Sequence, residues 1–395
     1  MIDKLSFLNE QQVHGIAQKY GTPIYVYSEK VLQASAEQAL AFGSPYGFAV
    51  RYAIKANPHP EILGLFNKLG LVFDASSGEE AEHILAQGII GNKIALNSQQ
   101  LPSNLSKLIE QNMFFTATSL HQIEKVGRQF PGINIGIRIN PGLGSGASNK
   151  VTTAGVSAGF GIWHEQIPQI NKIADKYKLN ITKLHTHIGA GTDPLVWHKS
   201  AKITLGLVKQ FKNISTISLG GGFKVARMQN EKTADIKLIG KKISSLISNY
   251  YKEYKVKLKL EIEPGTYLSA NAGVLIAEII DITNTGKNGF TFLRLNTGMN
   301  DILRISLYGA QHPLVVVNKY GRPCLDTKKY VVIGHNCESG DLLTPLKGDP
   351  ESIEPRQLGC ADIGDYLVIE GAGAYCASMR AIGYNSFTPA TELYV

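Results

Sequence analysis

Lys55 stands directly after an apolar run, in Tyr52-Ala-Ile-Lys55-Ala-Asn57, where a charged ammonium costs free energy unless it is paired or modified. Gly220-Gly221-Gly222 frees three successive backbone N–H groups ahead of an expected helix, an arrangement that suits a phosphate. Glu263, in Glu263-Pro264-Gly265, is an acid at the end of another apolar run and requires a positive partner. Asp74, Arg138 and Asn140, and the pair His185 and His187, close further runs of the same kind. Singly, these have plain explanations, such as a lysine snorkelling to solvent or a tight glycine turn. His185 and His187 share one strand face and could ligate a metal, but His121, His164 and His198 fall at helical or loop positions and complete no ligand set, so no metal is expected. A lysine, a glycine cradle and an acid together describe a pyridoxal 5′-phosphate site. The lysine forms the Schiff base, the glycines hold the phosphate, and the acid keeps the pyridine nitrogen protonated so that the ring is an electron sink.

The elements that must position these residues are legible between about residues 48 and 265. Apolar runs at Phe48–Ala53, Leu71–Asp74, Lys93–Asn97, Phe114–Thr118, Ile133–Ile139, Ile181–Ile188, Thr216–Leu219 and Lys257–Ile262 alternate with segments whose apolar residues recur at helical spacing, such as Pro60–Leu69 and Ile236–Tyr254. Eight β-α repeats point to a (β/α)8 barrel, with an open doubly wound sheet as the alternative. Barrel chemistry collects at the C-terminal ends of the strands, which is where every residue above falls. After residue 270 the runs become short and strand-like, at Val274–Thr283, Gly289–Leu295, Leu314–Val317, Tyr330–Gly334 and Tyr366–Glu370. The fold class is therefore α/β, a barrel over 25–268 followed by an all-β domain formed by 1–24 plus 269–395. The glycine-rich stretch Gly142–Gly161 is long for a connection and is expected to be a lid or binding loop.

Composition excludes other classes. The 395 residues are 44% hydrophobic and 18% charged, which rules out disorder. Forty Lys and Arg against 32 Asp and Glu give +8, but the basic residues are scattered, so no nucleic-acid partner is expected. No run of about 20 apolar residues is present for a membrane span, and the first residues lack a signal-peptide apolar stretch. Cys324, Cys337, Cys360 and Cys376 show no paired spacing, which points to a reduced compartment and a cytoplasmic protein.

Tyr52-Ala-Ile-Lys55-Ala-Asn57, His187-Ile-Gly189, Gly220–Gly222 and Glu263-Pro264-Gly265 resemble the pyridoxal-phosphate-dependent decarboxylases with an alanine-racemase-like barrel. The second half agrees, through Met299-Asn-Asp-Ile-Leu-Arg304-Ile-Ser-Leu-Tyr308, Cys337-Glu338-Ser-Gly-Asp341, Gly373-Ala-Tyr375, Ser378-Met379 and Tyr384-Asn385, and within that group resembles the diaminopimelate decarboxylases. The resemblance runs along nearly the whole chain. It implies conversion of meso-diaminopimelate to L-lysine and CO2. Lys55 would be the Schiff-base lysine and His187 would stack on the ring. Asp74 would belong to the cofactor site, Gly220, Gly221, Gly222, Gly265 and Thr266 would bind the phosphate region, Glu263 the pyridine nitrogen, and Tyr375 the phosphate. It further implies a homodimer with shared sites, in which Cys337 donates a proton after CO2 leaves, Glu338 faces the distal amine, and Arg304 and Tyr308 hold the distal carboxylate. The acids beside Cys337 would disfavour a thiolate.

Two positions depart from the family pattern. Thr266 stands where the Glu-Pro-Gly turn normally continues with arginine, and Ala190 where serine follows the His-Ile-Gly motif; Ile305 and Ser306 replace a usual Pro-Ala. Threonine cannot supply a bidentate carboxylate clamp. One expectation therefore keeps meso-diaminopimelate, held by Arg304 and Tyr308. The alternative is a diamino acid without the distal carboxylate, of the D-lysine or D-ornithine type. A non-catalytic pyridoxal-phosphate-binding protein would not need Cys337, Glu338 and Tyr375. A racemase would need a second base opposite Lys55, and the Cys-Glu-x-x-Asp motif favours decarboxylation.

Overall fold

The computed structural model describes residues 3–144, 154–187, 189–324 and 326–395. By its internal contacts the chain divides into two units: Gln33–Lys224 with Lys232–Leu268, and Met1–Leu32 with Val225–Glu231 and Ser269–Val395.

In the first unit, strands β2 (Phe48–Ala53), β3 (Val72–Ala75), β4 (Ile94–Leu96), β5 (Phe114–Ala117), β6 (Asn134–Asn140), β8 (Asn180–Thr186), β9 (Thr216–Ser218) and β10 (Lys259–Ile262) pair in parallel, and β10 returns to β2 to close the ring. This is the expected (β/α)8 barrel. One short strand not read from the sequence, β7 (Ile162–Trp163), lies on β6. The helices between strands start where short polar side chains can satisfy free N–H groups. Ser77 accepts from Glu80, Ser119 from Gln122, Asp193 from Leu195 and Asp235 from Leu238.

A buried ion cluster sits among the barrel strands. Arg51 on β2 donates through Nε and Nη2 to both oxygens of Glu261 on β10, at 2.7 and 2.9 Å, and Lys183 Nζ on β8 lies 2.6 Å from the same carboxylate. Removing Glu261 would leave two buried cations without compensation, at about 3–5 kcal/mol.

The second unit is built on an eight-stranded sheet. Strands β11 (Gly273–Asn284), β12 (Thr291–Leu295), β13 (Leu314–Val317), β14 (Thr327–Ile333), β17 (Arg356–Gly359) and β18 (Tyr366–Ile369) run in the order β13-β18-β11-β12-β14-β17, and β15 (Pro345–Leu346) pairs separately with β16 (Asp349–Ile353). Strand β1 (Ile24–Tyr27) pairs antiparallel with β11 and parallel with β19 (Thr391–Tyr394). Hydrogen bonding to β11 thus draws β1 into the β unit, whereas the sequence grouped residues 25–27 with the barrel. The helix Glu10–Tyr20 lays Val13 and Ala17 on a core of Ile24, Val26, Val274, Ile276, Val317 and Val368. Burying each such valine or isoleucine side chain contributes roughly 1.5–3 kcal/mol.

Of the expected lid, residues 145–153 lie outside the described residues, as does Ile188 of the His187-Ile-Gly189 motif. Both described flanks of that loop are held by Asn140. Its Oδ1 accepts from Gly142 and Gly155 N–H at 3.1 and 2.9 Å, and its Nδ2 donates to the Gly155 and Ala158 carbonyls.

Candidate active site

The barrel unit gathers the expected residues at the C-terminal ends of its strands. Lys55 lies in a short 3-10 turn directly after β2, its own side chain exposed while Ile54 and Ala56 are buried. Its charge acts on Asp74, Glu80 and His187, which places these groups around it.

Glu263 follows β10 and is buried. Its Oε1 accepts from the Ser218 hydroxyl at 2.7 Å, and its Oε2 lies 3.2 Å from His185 Nε2. Burial alone would raise this carboxyl, but His185, Lys183 and Ser218 overcome it and hold Glu263 well below the usual carboxylate range. Asp74, at the end of β3, goes the other way. Burial, and then the charge of Glu263, pushes it up to about 8. Two buried carboxyls this close share one negative charge, and Glu263 carries it. Burial also lowers His185 below its ordinary value, so the ring is neutral. With Asn97 Nδ2 donating to Nδ1 at 3.0 Å, the ring proton falls on Nε2, toward Glu263.

The three glycines are dictated by contact. At Gly220 (φ +69°) a Cβ would collide with the His187 ring, at Gly221 with the Glu263 carbonyl, and at Gly222 (φ +89°) with the Gly189 carbonyl. The segment is therefore a cradle between the chain ends that follow β8 and β10. It does not lead directly into a helix as expected, since the next helix begins at Ile236, and Val225–Glu231 in between belongs to the other unit. Gly265 is buried, and Thr266 opens the short helix Thr266–Ser269.

These residues fit pyridoxal phosphate. The glycine cradle excludes side chains, an anionic buried acid is available for a ring nitrogen, and Asp74 Oδ1 is buried with no hydrogen-bond partner among the described residues. Lys55 could carry the cofactor, His187 could face its ring, and Gly220–Gly222 with Gly265 and Thr266 could hold its phosphate.

The remaining expected residues lie in the β unit. Arg304 and Tyr308 begin and end one helical turn, so they share a face. Ser306 on that turn donates to the Gly340 carbonyl at 2.8 Å and thereby ties it to the Cys337–Asp341 loop. Cys337 and Glu338 are exposed. Cys337 N–H donates to Asn385 Oδ1 at 2.7 Å, and Glu338 accepts from Gly340 N–H and the Tyr384 hydroxyl. Asp341, by contrast, is buried and accepts from Met299 N–H, Asn336 N–H and Asn336 Nδ2, so it shapes the loop from beneath. Tyr375 adopts φ +57°, a left-handed backbone that costs a non-glycine residue about 1–3 kcal/mol and is concentrated at functional sites.

Several participants were not legible in sequence. Ser218, Asn97 and Lys183 were unremarkable strand residues, and His185 was weighed only as a metal ligand. The available signal was the two-residue spacing of Lys183 and His185, which puts them on one face of β8. Among the described residues no group of three or more His, Cys, Asp or Glu side chains is placed to hold a metal ion.

A barrel closed around an acid, a lysine and a glycine cradle defines a pyridoxal-phosphate enzyme of the decarboxylase type. Residues 29–270 match the family "Pyridoxal-dependent decarboxylase, pyridoxal binding domain", and the chain belongs to that family. It is 34% identical over 384 residues to the diaminopimelate decarboxylase of Buchnera aphidicola subsp. Baizongia pistaciae, covering 94% of this chain and 88% of that one. A crystal structure of diaminopimelate decarboxylase superposes with a TM-score of 0.90 at 28% identity, covering 99% and 93% of the two chains. The Helicobacter pylori diaminopimelate decarboxylase complexed with L-lysine gives 0.83 at 26% identity, covering 96% and 93%.

Proposed function

We propose that this chain decarboxylates meso-diaminopimelate to L-lysine and CO2. The observation that carries the substrate is the one-turn spacing of Arg304 and Tyr308, which puts a guanidinium and a phenol on one helical face. That pair suits the substrate's distal carboxylate, and a glutamate carboxylate, Glu338 of a second copy, complements its distal ammonium.

When bound, the cofactor supplies an electron sink for the carbanion left by CO2. Lys55 would be its covalent anchor, and His187 would face its ring. Glu263, held anionic by His185 and Ser218, keeps a proton at the ring nitrogen. Gly220–Gly222, Gly265, Thr266 and Tyr375 would hold the phosphate region, and Asp74 would belong to the same site. Cys337 delivers a proton to the reacting carbon as general acid. We further propose a cytoplasmic homodimer in which a second copy supplies Cys337 and Glu338. Its support is an exposed apolar set, Ile382 at 77% exposure with Tyr384 and Phe387, beside the exposed Cys337 loop. No helix among the described residues is long and apolar enough to cross a membrane.

A second reading, a diamino acid without the distal carboxylate, is favoured by Thr266, which gives the Glu263-Pro-Gly turn no cation. CO2 release from cofactor-loaded protein given meso-diaminopimelate, D-lysine and D-ornithine in parallel separates the two. Turnover of meso-diaminopimelate above the others is expected. Preference for a D-diamino acid would replace the substrate assignment, and Thr266→Arg should then shift preference toward meso-diaminopimelate.

A further inference from the structure

Arg227 belongs to none of the motifs above, yet it lies in the β unit beside Arg304. Its Nε donates to the Gly371 carbonyl at 2.9 Å, and its side-chain carbons pack on Gly371, which has φ +64°. Arg304 is fastened to the adjoining peptide. His312 Nδ1 lies 2.7 Å from the Glu370 carbonyl and donates to it, leaving Nε2 to accept from Arg304 Nη1. The tautomer follows because burial and the two arginine charges push His312 far below its usual range, so it is neutral.

Two guanidiniums are thus strapped to the neighbouring residues Glu370 and Gly371, one through His312 and one directly. Arg227 falls to about 9, by burial first and then by the Arg304 charge. Among the described residues neither arginine lies within ion-pair distance of a carboxylate. Arg227 Nη2 is buried and has no hydrogen-bond partner among the described residues. A half-buried guanidinium with a buried, unpartnered Nη2 beside a second cation is an incomplete site, and the component that completes it is an anion with two acceptor oxygens.

We propose that Arg227 is a specificity-determining residue which, together with Arg304, receives the carboxylate that the substrate retains. The proposal rests on the meso-diaminopimelate reading, in which that carboxylate survives in L-lysine and is absent from cadaverine. His312 is then a positioning residue that holds Arg304 at the correct distance from Arg227.

The test uses cofactor-loaded wild type, Arg227→Ala and Arg227→Lys, each verified as folded by thermal melting. In Arg227→Ala, KM for meso-diaminopimelate and the inhibition constant of L-lysine should rise together by about 10- to 100-fold, with kcat changed far less and cadaverine inhibition unchanged. Arg227→Lys should recover part of the loss, since it restores the charge without the fork. Equal weakening of L-lysine and cadaverine, or no change in either, overturns the proposal. Failure of the substrate reading is seen separately, as wild type that does not turn over meso-diaminopimelate. Arg227 is then judged by equilibrium binding, read from the cofactor's absorbance. Loss of a wild-type preference for L-lysine over cadaverine in Arg227→Ala sustains it, and absence of that preference in wild type overturns it.

Discussion

The Nε2 of His185 lies 3.2 Å from Glu263 Oε2, while the other ring nitrogen faces the Asn97 amide at 3.0 Å. A neutral imidazole oriented by an amide thus turns Nε2 toward a buried carboxylate, and with the Ser218 hydroxyl and the Lys183 charge it keeps that acid ionised inside the barrel. Glu263→Gln keeps the shape but loses the charge and should lower kcat by about 100-fold or more. His185→Ala should cost less, because Ser218 still donates to Glu263. The double variant should be little worse than Glu263→Gln alone, since both act through one group. Strictly additive losses in kcat would refute the coupling.

Asp74 gives the cofactor-free protein a pH signature. Its folded carboxyl is pushed up to about 8 by burial and by Glu263, against an unfolded value of roughly 4. Between those values the folded chain holds a proton that the unfolded chain has released, so this group's effect is a stability that declines as pH rises through the window. Glu263 has the opposite sign, its contribution being present above the ordinary carboxylate range and lost as pH falls below it. Melting temperatures of cofactor-free wild type should therefore drop across the upper window, and Asp74→Asn should flatten that slope and melt higher at its alkaline end. Parallel curves for the two proteins would remove Asp74 as the cause.

Cys337 is exposed, so its thiol can be changed without disturbing packing. Cys337→Ala should lower kcat by about 10²–10⁴ as expected for loss of a general acid, while shifting stability by no more than about 0.5 kcal/mol. Cys360→Ser, at another exposed thiol, serves as the control and should leave turnover intact. Steady-state rates with melting curves decide the matter.

Gly222 tests the cradle. An alanine there must adopt φ +89° and place its methyl against the Gly189 carbonyl. Gly222→Ala should cost more than about 1 kcal/mol of stability and should weaken cofactor retention, read as absorbance remaining after dialysis. Full retention would show that the loop relaxes without loss of the cradle.

How much of this was written in the chain can be judged residue by residue. Runs such as Phe48–Ala53 and Leu314–Val317 announced their strands because period and β-branched content are local properties, and both elements occur at those bounds. The cofactor itself was legible because Lys55, Gly220–Gly222 and Glu263 fall at equivalent ends of repeated units, and in a closed parallel barrel equivalent ends meet. Pairing across hundreds of residues was not legible. Strand β1 looks the same whether it joins a barrel or a sheet, and only its hydrogen bonds to β11 and β19 assign it. The charge states were likewise hidden. Asp74 and Glu263 are both acids at the ends of apolar strands, and what separates their opposite shifts is His185 and Ser218, which barrel closure brings to Glu263. Arg227, in an aperiodic stretch, reads as an ordinary surface cation. It becomes a half-buried guanidinium with an unpartnered Nη2 because the chain folds its Nε onto Gly371, 144 positions away. Residue type and local period determine elements and candidate chemistry. Desolvation and through-space charge, which set what each group can do, exist only once distant strands close around them.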